Sequence, residues 1–395
     1  MRIVTQALSL ERLGGIEVNT VEVARALVAR GHEVHLLHGP SFGLTDVDMT
    51  ADYEAAGVTV HGPFPMATSL IGAPSALPSF LPAARLVARL QPDVLWLQRF
   101  EHIVWGQVVS RRANVPLVCH LHHMPNFGRA MPYLATGVTR FVAVSDFIRQ
   151  QWADRGLDPA RVDVVHNAVP PETYRPGQDA ELAAARARFG LPAHSRTALY
   201  YGRLTADKGL DVALDAWELL GPGVSGATLV LAGDLDPVGD PELAARVRQL
   251  AANGTVTWLP TQRDVLPLLH AADVVLFPTK LPEAFGRVAL EALMTGRPVL
   301  ASDIGAVPEV LTGRLDRLLV PPGDARALAE QLRLLLDWRD TQPGFGAWCA
   351  AEAEAHFSFT AHLSAVESVL DHATCQGAER PRPSRAPRRV AGQNG

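Results

Sequence analysis

Two series of short apolar runs constrain this chain more than any other feature. The first is MRIVTQA, EVHLLHG, VTVHG, DVLWLQ, PLVCHLH, RFVAVS and VDVVHN; the second is TALYYG, ATLVLAG, TVTWL, DVVLFP, PVLAS and RLLV. Helical patterns separate the runs, and apolar strands joined by helices predict parallel sheets covered on both faces. Between the series lies PPETYRPGQDAELAAARARFGLPAHS, rich in Pro, Ala and charge, the best candidate for a linker. A length of 395 residues exceeds one ordinary core and suits two domains. The boundaries read as a first domain at 1–172, a linker at 173–195 and a second domain at 196–355. A final helix is expected at about 357–373, followed by a disordered tail at 376–395, which ends in ERPRPSRAPRRVAGQNG with five arginines and three prolines.

Chemistry concentrates in the second series. PEAFGRVALEALMTGRPVLASDIGAVPEVL sets Glu283 and Glu291 eight positions apart across the start of a helix. Eight helical residues span roughly 12 Å, close to the separation of a sugar ring and a ribose on either side of a diphosphate. The diphosphate would then meet the helix N-terminus, where free N–H groups and the dipole favour anions, and Gly286 would permit its close approach. Carboxylates there can accept hydrogen bonds from vicinal hydroxyls. Earlier, in ALYYGRLTADKGLD, an apolar run ends at Tyr201, Gly202 breaks it, and a helix is expected from about Lys208. Arg203 and Lys208 therefore fall on a strand-to-helix loop, the usual ligand edge of such sheets. A guanidinium fork and an ammonium can together neutralise a diphosphate without a metal.

With those motifs in place, the chain resembles the retaining GT-B glycosyltransferases of family 4, the glycosyl transferases group 1, from Met1 to about Ala373. The resemblance rests on GGIEVNTVEVARALVARGHEVHLL, VDVVHNAVPPETYRP, GRLTADKGLD and EAFGRVALE, in that order. It implies an α/β GT-B fold, with two Rossmann-like parallel-sheet domains facing a central cleft. The first would bind the acceptor, the second the nucleotide-sugar, and the final helix would pack back on the first. Glu283 would contact hydroxyls of the donor hexose and Glu291 those of the ribose. Arg203 and Lys208 would grip the diphosphate, backbone N–H groups around Phe285, Gly286, Arg287 and Val288 would add anion contacts, and Gly15 would close over the donor from the opposite domain.

In VPLVCHLHHMP, His122 matches the active-site histidine of the family. His120 and His123 flank it and leave the register open, although strand periodicity puts His120 and His122 on one face. The chain departs from the family pattern at Asn167-Ala168 and at Gly305-Ala306, where a methyl group is tolerable only if φ stays negative. The loop GRLDRLLVPPGD also lacks one customary glycine.

Other classes find less support. A net charge of −5 offers no field for nucleic acid. Cys119, Cys349 and Cys375 have neither metal spacing nor a disulfide framework, which points to a reducing cytoplasm. No Cys or carboxylate completes a tetrahedral set around the histidines, so no metal and no cofactor are expected. The N-terminus reads as a buried strand rather than a signal peptide. Gly62 to Ala84 is uncharged, but Pro63, Pro65, Pro74, Pro78 and Pro82 rule out a spanning helix. That segment reads as a binding loop without stable membrane insertion.

The expectation is therefore hexosyl or N-acetylhexosaminyl transfer, with retention, from a UDP-sugar to a soluble hydroxyl acceptor, either a small molecule or a glycan. Two alternatives use the same ligand: a nucleotide-sugar epimerase of this fold and a non-catalytic nucleotide-sugar-binding protein. An NAD-binding Rossmann enzyme is disfavoured, because LGGIEVNT lacks G-x-G-x-x-G.

Overall fold

The computed structural model describes residues 1–11, 14–43, 47–66, 77–126, 128–221, 226–236 and 238–378. The tail from residue 379 and the centre of the proline-rich loop, residues 67–76, lie outside the described residues. Each apolar run forms a strand. The first series supplies β1 (Arg2–Ala7), β2 (Glu33–His38), β3 (Thr59–His61), β4 (Val94–Leu97), β5 (Leu117–Leu121), β6 (Arg140–Ala143) and β7 (Val162–Val164). The second supplies β8 (Arg196–Tyr201), β9 (Ala227–Ala232), β10 (Val256–Leu259), β11 (Val274–Phe277), β12 (Val299–Ser302) and β13 (Leu319–Val320).

These strands build two parallel sheets, ordered β3-β2-β1-β4-β5-β6-β7 and β10-β9-β8-β11-β12-β13. Strand order reverses between β1 and β4 in the first and between β8 and β11 in the second. Such switch points open a crevice outside the carboxyl ends of the strands, where ligands of open α/β sheets bind. The loops leaving β1, β4, β8 and β11 therefore border the two crevices.

Local chemistry explains where elements begin. The segment read as a linker holds a helix, Asp179–Arg188, because its alanines favour one and Gln178 with Glu181 closes a reciprocal capping box. The helix Leu81–Leu90 takes up the end of the proline-rich stretch, and its proline sits in the first turn, where no intrahelical N–H is needed. The helix expected from about Lys208 begins at Leu210, after Gly209 at φ 75°. The final helix, Phe359–Ala378, returns to the first sheet and buries Phe359, Leu363, Val366 and Leu370 with Ile3, Trp96 and Val118. Among the described residues, only Gln91 and Asn114 are non-glycines with positive φ, so Ala168 and Ala306 carry their methyl groups without strain.

Candidate functional site

At the second switch point, the loop after β8 meets the loop after β11. Lys208 Nζ donates to Glu283 Oε1 at 2.5 Å, and both side chains keep a fraction of their surface exposed, 25% and 17%. Thr279 Oγ1 also lies 3.4 Å from Glu283 Oε1. Glu283 is held by its backbone as well. It forms a bridge to Gly305, and its carbonyl accepts from Ala306 N at 2.9 Å. Gly305 has φ 63°, and a Cβ there would stand 2.5 Å from Glu283 N, so glycine is required.

Glu283 lies outside the helix. That helix, Arg287–Met294, begins after Gly286 at φ 96°, so only Glu291 of the two glutamates is helical. The helical span estimated from their eight-residue spacing therefore does not apply. The pair differs in environment too: Glu283 faces the opening with Lys208, whereas Glu291 is buried. Glu291 Oε2 accepts from Tyr201 OH at 2.7 Å, and Oε1 from Arg287 Nε at 2.6 Å. Burial first, and then the Glu291 charge, push the Tyr201 phenol well above its ordinary range, which keeps it a donor.

Arg287 also reaches the first domain. Its Nη2 donates to Glu22 Oε2 at 2.7 Å, Nη1 lies 3.5 Å from Asn19 Oδ1, and Tyr174 OH lies 3.4 Å from Nη2. Asn19 and Glu22 belong to the helix Gly15–Ala29 that follows β1. A Cβ on Gly15 would stand 3.5 Å from Arg287 Cδ, so this glycine lies against the opposite domain. Burial raises the Glu22 pKa, and Arg287 offsets only part of that rise.

At the first switch point, the first turn of the helix after β1 and the loop after β4 are tied by Arg99 Nη2 donating to Glu17 Oε1 at 2.6 Å, and Arg99 Nη1 lies 3.2 Å from His123 Nε2. His120 and His122 share a face, with ring centroids 4.0 Å apart, and His120 also stacks on Trp96. Thr5 Oγ1 donates to Trp96 O and accepts from Gln98 Nε2, which turns Gln98 Oε1 toward His122 Nε2 at 3.3 Å. That chain places the His122 proton on Nε2 and leaves Nδ1 as an acceptor. Burial, followed by the neighbouring His120 and His123, holds the His122 pKa well below the usual value, and His120 is lowered to about 3 by burial. Both rings are neutral at physiological pH. His123 is exposed at the rim, with its backbone O accepting from Trp152 Nε1 at 2.7 Å.

The structure thus joins Lys208 to Glu283, Arg287 to Glu291, and Gly15 to Arg287, while Phe285 and Gly286 lead into the helix whose first turn holds Arg287 and Val288. Arg203 stands apart: its side chain is 65% exposed and lies 3.5 Å from Asp207. Sequence reasoning missed Tyr201, Tyr174, Glu22 and Asn19. Tyr201 was visible as the last strand residue before the Arg203 loop, but nothing in the order of residues paired it with Glu291. It also missed a second bridge between domains. Glu309 accepts from the N–H groups of Asp146 and Phe147, at 2.8 and 2.6 Å, and lies 2.9 Å from His166 Nε2. Nearby, Ser145 Oγ donates to Ala284 O at 2.7 Å.

Comparison with known proteins agrees with this architecture. Residues 13–173 match the family described as Glycosyltransferase Family 4, and residues 195–337 match Glycosyl transferases group 1. D-inositol 3-phosphate glycosyltransferases of Mycobacterium tuberculosis H37Rv and Mycobacterium bovis AF2122/97 are 36% identical over 200 residues, 49% of this chain. The match spans only 40% of the length of those curated relatives. Anabaena HepE, solved with UDP and glucose, superposes with a TM-score of 0.78 at 22% identity, covering 94% of this chain and 99% of its own. A Rickettsia africae glycosyltransferase gives 0.81 at 18% identity, covering 94% and 98%. Sucrose-phosphate synthase of Thermosynechococcus elongatus gives 0.72 at 19% identity, covering 95% and 99%. With each sheet matched by its own half of the family and the charged loops gathered at both switch points, the chain belongs to the group 1 glycosyltransferases of GT-B fold.

Proposed function

We propose that the chain transfers a hexosyl or N-acetylhexosaminyl group from a UDP-sugar to a soluble hydroxyl acceptor with retention of anomeric configuration. The observation that carries this reading is the Lys208–Glu283 pair at 2.5 Å, set at the β8/β11 switch point beside the start of the helix Arg287–Met294. A cation for the leaving diphosphate and an acceptor for sugar hydroxyls stand side by side there. HepE, of like fold, has been solved with UDP and with UDP-glucose, which supports the choice of donor.

Departure of the nucleoside diphosphate builds negative charge, and stabilising that charge is the largest catalytic contribution. Lys208 and the helix N-terminus supply it, and Arg203 joins them by swinging from its exposed position. The acceptor attacks from the face the diphosphate leaves, and a departing phosphate oxygen takes the acceptor proton, so configuration is kept. His122, neutral and held by Gln98, offers Nδ1 as an acceptor to the donor sugar. No divalent cation is required, because the basic side chains balance the diphosphate. Among the described residues, no helix is long and apolar enough to cross a membrane.

The test is a thermal-shift panel of UDP-, GDP- and ADP-sugars without acceptor. A ligand at 100 times its dissociation constant adds about 2.7 kcal/mol of stability. UDP-sugars should stabilise the chain, and proton NMR of the product should show the anomeric coupling of the donor. No stabilisation by any nucleotide-sugar would refute the reading.

A further inference from the structure

A second charged groove lies on the far side of the second domain. The turn Gly313–Leu318 immediately precedes the amino end of β13, and the start of the helix Phe345–His356 packs beside it. Gly346 belongs to the same edge: a Cβ on Gly296, which follows the donor-site helix as it runs back from the cleft, would stand 3.3 Å from Gly346 O. The groove therefore sits at the amino edge of the sheet, opposite the ligand edge. Its volume is about 320 Å³, and none of the cleft residues line it.

Two arginines share one ring system in this groove. The guanidinium carbon of Arg314 lies 5.2 Å from the centroid of Trp348, and that of Arg317 lies 4.8 Å from Trp348 and 4.6 Å from Phe345. Phe345 and Trp348 are stacked, with centroids 5.4 Å apart and planes 15° apart. Cation–π contact fixes each guanidinium without using its N–H donors. The acids nearby do not use them either. Glu352 accepts from Trp348 Nε1 at 2.9 Å, and Asp316 is exposed and forms no ion pair with either arginine. Elsewhere in the described chain, Arg140, Arg175, Arg186, Arg196, Arg246 and Arg287 each hold a carboxylate. Arg314 and Arg317, three residues apart and both set against Trp348, have no carboxylate partner among the described residues.

We infer that Arg314 and Arg317, set on Trp348 and Phe345, form a binding site for a phosphate monoester, separate from the transfer cleft. A phosphate monoester carries close to two charges at neutral pH and three acceptor oxygens, which suits two guanidinium forks held against one aromatic platform. The lining Gln342 adds an amide for a neighbouring hydroxyl. This assignment is independent of the reaction in the cleft.

The test is calorimetric titration of the full chain at fixed ionic strength, balanced with chloride, using inorganic phosphate and glucose 6-phosphate. Arg203→Ala/Lys208→Ala serves as the background, so that phosphate in the cleft does not contribute. A parallel arm measures sedimentation with vesicles of equal parts phosphatidylcholine and phosphatidic acid, separating a lipid headgroup from a free phosphate ester. Saturable binding in either arm, weakened about tenfold or more by Arg314→Gln/Arg317→Gln, is the expected result. Both side chains are exposed, so the variant should melt with the parent; if it does not, Arg314→Lys/Arg317→Lys, which keeps charge but loses the fork, replaces it and should weaken binding too. Absence of binding in both arms, or equal binding by the parent and the arginine variants, overturns the assignment.

Discussion

Arg287 in the second domain donates from Nη2 to Glu22 in the first at 2.7 Å, while its Nε holds Glu291 at 2.6 Å. One buried guanidinium therefore ties the expected ribose carboxylate to the helix that follows β1.

Glu22→Gln keeps the shape of that contact and removes its charge. Nucleoside diphosphate affinity should stay near the parent value, because Glu291 still has Arg287 and Tyr201. Turnover should fall about tenfold, a typical size for coupling between sites, because closure of the two domains loses its charged contact. Calorimetry with UDP and initial rates with the donor make the comparison. Unchanged turnover would show that the bridge is only structural.

Lys208→Ala should lower turnover about 100-fold or more, as removal of one leaving-group contact commonly does, with little change in melting temperature. Arg203→Ala should do the same if its exposed side chain swings onto the diphosphate. Activity should persist in excess EDTA. Normal initial rates in the purified Lys208 variant would remove the role proposed for the pair with Glu283.

Buried histidines make the fold sensitive to acid. Burial lowers His120 to about 3 and His362 to about 4, and neither His120 ring nitrogen has a hydrogen-bond partner among the described residues. The folded state keeps both neutral, whereas the unfolded chain takes up protons below about pH 6.5. Their stabilisation is thus complete above that pH and lost progressively as pH falls toward the folded values, at up to about 1.4 kcal/mol per pH unit for each ring. His120→Phe should flatten the fall in melting temperature between neutral pH and pH 4. An unaltered slope would place the acid sensitivity elsewhere.

The periodic apolar runs made the sheets legible, since a strand buried on both faces has few ways to be written. Lys208 and Glu283 were readable because each lies beside the end of a strand in its own loop. The Arg287 network was not. Tyr201, Tyr174 and Glu22 are separated from it by up to 265 residues, and only the meeting of two domains makes them neighbours. The eight positions from Glu283 to Glu291 invited a helical rise across the start of a helix, but Gly286 at φ 96° precedes that helix and leaves Glu283 outside it.

The contrast between the glutamates gives the sharpest prediction. Glu291 is buried between Tyr201 and Arg287, whereas Glu283 meets Lys208 at the opening. Glu291→Gln should weaken every uridine nucleotide, including bare UDP, because ribose is common to all and because Arg287 loses one of its two carboxylates. Glu283→Gln should leave UDP affinity nearly unchanged, since its partner is the hexose, yet reduce transfer and discrimination among sugars. Tyr201→Phe should follow Glu291→Gln in direction with a smaller effect, having removed one donor and no charge. Titration of each variant with UDP and with intact donor separates the outcomes. Equal loss of UDP affinity in both glutamate variants would mean that the carboxylates do not divide ribose and hexose between them.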